Sequence, residues 1–211
     1  MDSPGAGGKP LVTNQDDLRR HFGQVSPLAE KKVLTFLDHF CRDFIALSPF
    51  LVLASSDGQG RADASPRGDG PGFVAVLDDH TLLIPDRRGN NRVDTFGNIL
   101  ASPGVGLIFF VPGIDETLRV NGQAEICQDA ALLEPLAVQR VVPVIGLKVR
   151  VQETYFHCGK ALMRSRLWNP DARVERSVFP PLGRIIADQT AAIAADEAER
   201  IMEEGYRTRL Y

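Results

Sequence analysis

The chain has 211 residues, 44% of them hydrophobic and 24% charged, with a formal net charge of -3. Such a length suits one domain with additions at its ends, and the negative balance speaks against a general affinity for nucleic acid. Three scattered cysteines (Cys41, Cys127, Cys158) are too few for a disulfide framework or a zinc cage and read as reduced thiols of a cytoplasmic protein, and no stretch approaches the roughly 20 apolar residues that span a bilayer.

The opening Met1-Asp2-Ser3-Pro4-Gly5-Ala6-Gly7-Gly8 has neither the basic segment nor the apolar run of a signal peptide, and the first ten residues are expected to be disordered. Residues 1–25 read as an N-terminal arm, 26–186 as the main domain, and 187–211 as a C-terminal helix and tail. Asn14 can cap a short helix whose first turn holds Asp16 and Asp17. Ser26-Pro27 starts a second helix. Val33, Leu34, Leu37, Phe40, Phe44 and Ile45 recur at helical spacing, so that helix is expected to run to Ser48-Pro49.

Then the texture changes. Phe50 to Ala54 is a short apolar strand, Asp57-Gly58-Gln59-Gly60 a hairpin turn, and Arg61 to Arg67 the returning strand, with Ala62, Ala64 and Pro66 alternating against Asp63, Ser65 and Arg67. Phe73 to Leu77 and Thr81 to Pro85 read as strands around an Asp78-Asp79-His80 turn. Arg92 to Leu100 fits a helix. Gly104 to Val111, Thr117 to Ile126 and Val144 to His157 complete the strands, with a short helix over Ala130 to Val138. Gly159 to Trp168 reads as a cationic helix, Asn169 to Gly183 as a loop, and Asp188 to Tyr206 as one polar helix. Short strands at roughly ten-residue spacing suggest a barrel or sandwich.

Four groups of residues could carry chemistry. Arg87, Arg88, Asn90, Asn91 and Arg92 lie between a strand end and a helix start. Helix N–H groups and guanidiniums there suit a phosphate, and Gly89 allows close approach. The alternative is a solvated loop with an Asn cap. Ser65-Pro66-Arg67-Gly68-Asp69 ends a strand, and Arg67 could converge with the 87–92 turn on one anion. Guanidiniums without acid partners would repel, which a bound anion resolves. In Glu116 to Gly122, Thr117 and Arg119 share one side of a strand, although Arg119 could equally be an ordinary exposed charge. His157-Cys158 is no catalytic dyad, because strand neighbours point to opposite faces; instead His157, Lys160 and Arg164 could rim a pocket. Asp78-Asp79-His80 favours a turn over a metal site, no metal is expected, and no dinucleotide fingerprint is present.

The ordered segments from Phe50 to Gly122 are similar to the flavin-binding domain of the pyridoxamine 5'-phosphate oxidase-like family. In that family a strand-end Arg, a Tyr-Thr-Asn strand end, a Ser-Arg-Lys turn and an Arg-Gln-Val-Arg-Val-Glu-Gly strand hold flavin mononucleotide (FMN). Here Ile84-Pro85-Asp86 sits at the strand end, Asn91-Arg92 resembles the Ser-Arg pair, and Arg119, Val120 and Gly122 match the last motif. Ser-Pro-Arg-Gly-Asp, Gly-Asn-Asn-Arg, Glu-Thr-Leu-Arg-Val-Asn-Gly and His-Cys-Gly-Lys-Ala resemble a subgroup of oxidase-related flavoproteins. The turn lacks the family's Lys, Thr117 replaces Gln, and the family's C-terminal Arg-Leu-His motif has no counterpart.

The resemblance implies a mainly β fold with peripheral helices (α+β), built on a six-stranded antiparallel split β-barrel of the FMN-binding type. It implies a homodimer with the cofactor at the interface. The expected cofactor residues are Arg67, Arg88, Asn91 and Arg92 for the phosphate, Ser65 and Asp86 for the ribityl chain or ring edge, and Thr117 and Arg119 reaching the ring from the second subunit. His157 and Lys160 are expected on the substrate side. The expected function is an FMN-dependent oxidoreductase acting on a small molecule, with no membrane or nucleic-acid partner. The alternative is a non-catalytic protein that binds or stores a flavin or deazaflavin.

Overall fold

A computed structural model describes residues 11–211, so the expectation for the first ten lies outside the described residues. Contacts divide the chain into two compact units at Val33 and Leu34. In the first, α1 (Gln15–Phe22) is capped by the Asn14 side chain and α2 (Pro27–Lys31) by that of Ser26.

The second unit is built on one antiparallel sheet. Its strands are β1 (Phe50–Ser56), β2 (Ala62–Gly68), β3 (Ala75–Asp78), β4 (Thr81–Pro85), β5 (Gly104–Phe110), β6 (Thr117–Cys127) and β7 (Gly146–His157), in the order β2-β1-β5-β6-β7-β4-β3. This corrects the expectation of six strands: there are seven, and the barrel does not close, because the two edge strands β2 and β3 share no ladder. The β3–β4 hairpin, which forms one edge of the sheet, turns at Asp78-Asp79-His80 as expected, with the Asp78 carboxylate accepting from the His80 N–H.

Alternation along the central strands makes the core. Leu51 of β1, Phe109 of β5 and Leu118 of β6 stand in one cross-strand row, and Leu53, Leu107 and Val120 in the next, all almost fully buried. Such a row removes apolar side chains from water at roughly 1.5–3 kcal/mol each. Phe44 and Ile45 of α3 (His39–Leu47) join this core, as do Phe96 and Ile99 of α4 (Asp94–Ala101).

The long helix expected over 26–48 is two helices. Leu34 leaves helical geometry to exchange both backbone bonds with Thr154 of β7, and Asp38 restarts the chain by accepting from the Cys41 N–H. Only α3 buries an apolar side, through Cys41, Phe44 and Ile45; no residue of α2 is buried, so the apolar spacing ahead of Leu34 does not mark a continuous core-facing helix. The helix expected over 188–206 is likewise two, α7 (Leu182–Thr190) and α8 (Ala195–Thr208), broken at Ala191 in the left-handed region. A β-carbon on Gly183 would lie 2.4 Å from the Glu199 nitrogen, so this glycine sets how closely the two helices pack. The Gly159–Trp168 helix shortens to α6 (Lys160–Ser165), and α5 (Ala130–Leu133) continues as a single 3-10 turn.

Gln152 is an extra residue in β7 opposite the Asn121–Gly122 step of β6, and there the register shifts. A β-carbon on Gly122 would sit 2.2 Å from the Arg150 carbonyl oxygen. Gly122→Ala is therefore expected to destabilise the protein by about 3 kcal/mol, read as a lower urea midpoint at unchanged slope. Gly104→Ala, where a β-carbon meets nothing within 4 Å, should shift it by under about 0.5 kcal/mol.

Candidate functional site

Strand β2 inverts the usual pattern. Ser65 pairs with Leu53 and Arg67 with Leu51, so both lie on the face of the sheet that carries the core. Asp63, Ser65 and Arg67 are half-buried there, while Ala62, Ala64 and Pro66 are exposed. Polar groups turned inward on a strand need partners, and β2 finds them across a cleft. The opposite wall begins where β4 ends: the Asp86 N–H donates to the Ile145 carbonyl at 3.0 Å, fixing the start of the 87–93 turn.

The cleft has a volume of about 280 Å³ and is lined by Ser65, Arg67, Asp86, Asn91, Arg92 and the first turn of α4. That helix starts without a side-chain cap, unlike α1, α2 and α3. Its leading N–H groups thus have no side-chain acceptor, and the residues bearing them, Asp94 to Phe96, face the cleft. The turn ahead of it is strained. Asn91 has φ 59° and Val93 φ 53°, a left-handed conformation that a β-branched residue rarely takes.

The electrostatics correct the expectation of unpaired guanidiniums. Arg67 faces Asp86 at 3.5 Å, Arg87 binds Asp69 at 2.6 Å, and Arg92 binds Asp94 at 2.7 Å. These pairs are not equal. Arg87 also donates to the Leu136 carbonyl at 2.9 Å and sits over the Tyr211 ring, whose hydroxyl donates to Asp69 at 2.8 Å. The Arg67–Asp86 contact is at the limit of a hydrogen bond, and the buried Nε of Arg67 has no partner among the described residues.

Burial pushes the Asp86 carboxyl above the ordinary carboxylate range, against the pull of Arg67 and Arg87. Burial acts on Asp69 in the same direction, but the Gly70 N–H, the Tyr211 hydroxyl and Arg87 together hold it below that range. The hydrogen bond to Asp69 in turn raises the Tyr211 phenol.

Five of the sequence-predicted residues therefore come together: Ser65, Arg67, Asp86, Asn91 and Arg92. Three others do not join them. Arg88 lines separate cavities on the other side of the turn. Arg119 pairs with Ile108 and Tyr155 on the outer face of the sheet, opposite the face that carries Arg67. Thr117 shares that face, with His157 as its cross-strand partner. The Arg119 guanidinium lies over the Tyr155 ring and bonds Asn121 at 3.1 Å. Lys160 is exposed at the first position of α6, and Trp168 packs inward, donating to the Ile114 carbonyl at 2.8 Å.

Sequence reasoning missed Asp69, the structural role of Arg87, and Tyr211. Asp69 ends the Ser-Pro-Arg-Gly-Asp motif, but a turn-rich Gly-Asp-Gly run accounts for an aspartate there without invoking a partner. Nothing in the sequence connects position 211 to position 69.

Residues 37–158 match the sequence profile described as pyridoxamine 5'-phosphate oxidase. No curated protein matches the sequence. Solved structures do. HupZ of Group A Streptococcus is 19% identical, covering 56% of this chain and 90% of its own, at a TM-score of 0.46. A putative pyridoxamine 5'-phosphate oxidase from Lactobacillus delbrueckii is also 19% identical, covering 58% and 95%, at 0.45. An FMN-binding protein from Syntrophomonas wolfei is 10% identical, covering 68% and 96%, at 0.43.

The two carboxyls give opposite pH signatures. Asp69 is depressed in the folded state, so its contribution is present above the unfolded value of about 3.9 and is lost as pH falls through the folded value. Asp86 is raised, so its contribution is present below about 3.9 and is lost as pH rises through the folded value. Urea titrations between pH 3 and 7 should show Asp69→Asn losing about 2 kcal/mol at pH 7 and converging on wild type in acid. Asp86→Asn should instead gain on wild type as pH rises.

Proposed function

The chain belongs to the pyridoxamine 5'-phosphate oxidase family, and from that premise we propose that it is an FMN-dependent oxidoreductase acting on a small molecule. The observation that carries the proposal is the buried Arg67 Nε, left without a partner in a cleft whose other wall is an uncapped helix start. A donor orphaned in this way calls for an acceptor, and a phosphate oxygen at a helix N-terminus supplies one. The donor set fits the group: one guanidinium, the α4 N–H groups, and the Asn91 and Ser65 side chains.

In this reading Arg67 and the start of α4 hold the phosphate, with Arg92 adding charge from the rim. Ser65 and Asp86 face the ribityl chain. Asp86 would then give up Arg67, and its raised carboxyl makes the neutral form accessible for donating a hydrogen bond. The cleft's 280 Å³ lies just under the roughly 300–1,000 Å³ of small-molecule pockets, so it suits a phosphate and chain better than a tricyclic ring as well. A homodimer would complete it, with Arg119 of a second copy reaching the ring; Thr117, expected beside it, is only 3% exposed and is packed within its own chain. A guanidinium there would favour the anionic reduced flavin. When bound, the isoalloxazine ring supplies the electron or hydride chemistry. His157 and Lys160 would then border the substrate. A cytoplasmic setting suits three free cysteines.

A second reading is a non-catalytic flavin carrier. It is favoured by two of the three carboxylates that line the cleft, Asp86 and Asp94, being paired with Arg67 and Arg92, which leaves Asp63 alone without such a pair. Reduction of the bound flavin by NAD(P)H separates the two readings.

Purified protein should be yellow and release FMN on denaturation. Arg67→Ala should weaken FMN binding by about 1.5–3 kcal/mol, roughly 10- to 150-fold, in a fluorescence-quenching titration. A protein that takes up no flavin, or an Arg67→Ala variant that binds as wild type does, overturns the proposal.

A further inference from the structure

The cleft holds one acid that no bond within the chain engages. Asp63 pairs with Ser55 of β1, two residues before Ser65 and four before Arg67, so all three side chains stand on the core face of the sheet and line the cleft. Asp63 is half-buried, and it has no hydrogen-bond or ion-pair partner among the described residues. The other two carboxylates of the cleft differ: Asp86 faces Arg67 at 3.5 Å, and Asp94 bonds Arg92 at 2.7 Å. Arg92 feels the charge of Asp63 only from beyond bonding range.

An unpaired carboxylate is out of place in a site for a bare anion. It repels a phosphate instead of binding it, and an ionised carboxylate can only accept hydrogen bonds. A ligand offsets that repulsion by bringing hydroxyl donors, whose bonds to a charged acceptor are among the stronger ones. The spacing along β2 suits such a ligand. At about 3.3 Å per residue, Ser65 stands roughly 7 Å and Asp63 roughly 13 Å from Arg67 along the strand. The row runs from a cation through a hydroxyl to a carboxylate. A phosphate monoester on a chain of hydroxyls presents the complementary order, with acceptors at one end and donors beyond it.

We infer that Asp63 sets the selectivity of this cleft: it accepts hydrogen bonds from hydroxyls on the ligand's chain, so that phosphate esters of polyhydroxylated chains are taken in preference to esters of plain ones. The inference rests on the cofactor reading above and adds a selection to it. Affinity for the phosphate lies with Arg67 and the start of α4, and discrimination between chains lies with Asp63. An acid that merely offset the charge of Arg92 would make no such distinction, because it would weaken every phosphate ester alike.

The test is equilibrium binding, followed by flavin fluorescence, of FMN and of an analogue whose ring and phosphate are joined by a five-carbon chain without hydroxyls. Both are titrated against the full chain as wild type, Asp63→Ala and Asp63→Asn. Wild type should bind FMN about tenfold more tightly than the analogue, the scale of one hydrogen bond to a charged group. Asp63→Ala should lose about tenfold for FMN and bind the analogue at least as tightly as wild type does, since a like charge has gone. Unimpaired binding of the analogue also shows that the variant is folded. Asp63→Asn, which keeps an acceptor without its charge, should fall between. Equal affinity of wild type for both flavins, an Asp63→Ala variant that keeps the preference, or one that tightens or weakens both flavins by the same factor overturns the inference and leaves the cofactor reading standing. Uptake of neither flavin by wild type overturns both.

Discussion

Two arginine–aspartate pairs span a gap that no backbone ladder crosses. Arg67 and Asp69 come from the end of β2, and Asp86 and Arg87 from the end of β4, with the charges in opposite order on the two sides. Strands β2 and β4 stand near opposite edges of the sheet. The reciprocal contacts bring those ends together without extending the sheet. They also aim the 87–93 turn, and with it the start of α4, at the polar face of β2. Without that convergence, Ser65 and Arg67 would be inward-facing polar groups on an edge strand with nothing to meet.

The two pairs divide the work. Arg87 and Asp69 are close and well buried, with side-chain exposures of 17% and 4%. Removing one partner there strands a charge, which is costly, whereas the net gain from the intact pair is small. Such a pair specifies geometry more than it adds stability. Arg67 and Asp86 are looser, at 3.5 Å, and a carboxyl that burial already pushes toward neutrality is the easier one to displace. A phosphate offers Arg67 more charge and more acceptor oxygens than Asp86 does. The 87–93 turn therefore carries one arginine committed to the fold, and the end of β2 carries another still able to change partner.

Much of this was legible in the sequence, for reasons that particular residues make plain. The hairpin at Asp57 to Gly60 was readable because local chemistry decides it: Asp57 accepts from the N–H groups of Gln59 and Arg61, and Gly60 takes φ 78°. The core strands were readable because alternation of Leu51, Leu53, Leu107 and Phe109 is a property of each strand alone. The break at Leu34 was not, because it is imposed by Thr154, far along the chain. Nor could the sequence separate Arg87 from Arg88. Neighbours in a turn point apart, and which one meets Asp69 depends on how the sheet curves. Two of the acid partners were hidden in the same way, since pairing at separations of 18 and 19 residues leaves no local trace; the third, Asp94, stands two residues from Arg92.

Faces of the sheet decide the remaining issue. Cross-strand partners share a face, so the row Arg67, Leu51, Phe109 and Leu118 runs along the core side. The next row, Pro66, Val52, Ile108, Arg119 and Tyr155, runs along the outside. Arg119 and Arg67 are thus separated by the sheet itself, and no rotamer change within one chain puts both on one ligand. Either Arg119 has no part in cofactor binding, or it acts on the cofactor of another copy. The proposed function takes the second course because the cleft alone is too small for a whole flavin, and a ring emerging from it must be covered by something. An outer face that stacks Arg119 on Tyr155, with His157 beside it at a ring separation of 5.0 Å, offers a flat cationic and aromatic surface for that purpose.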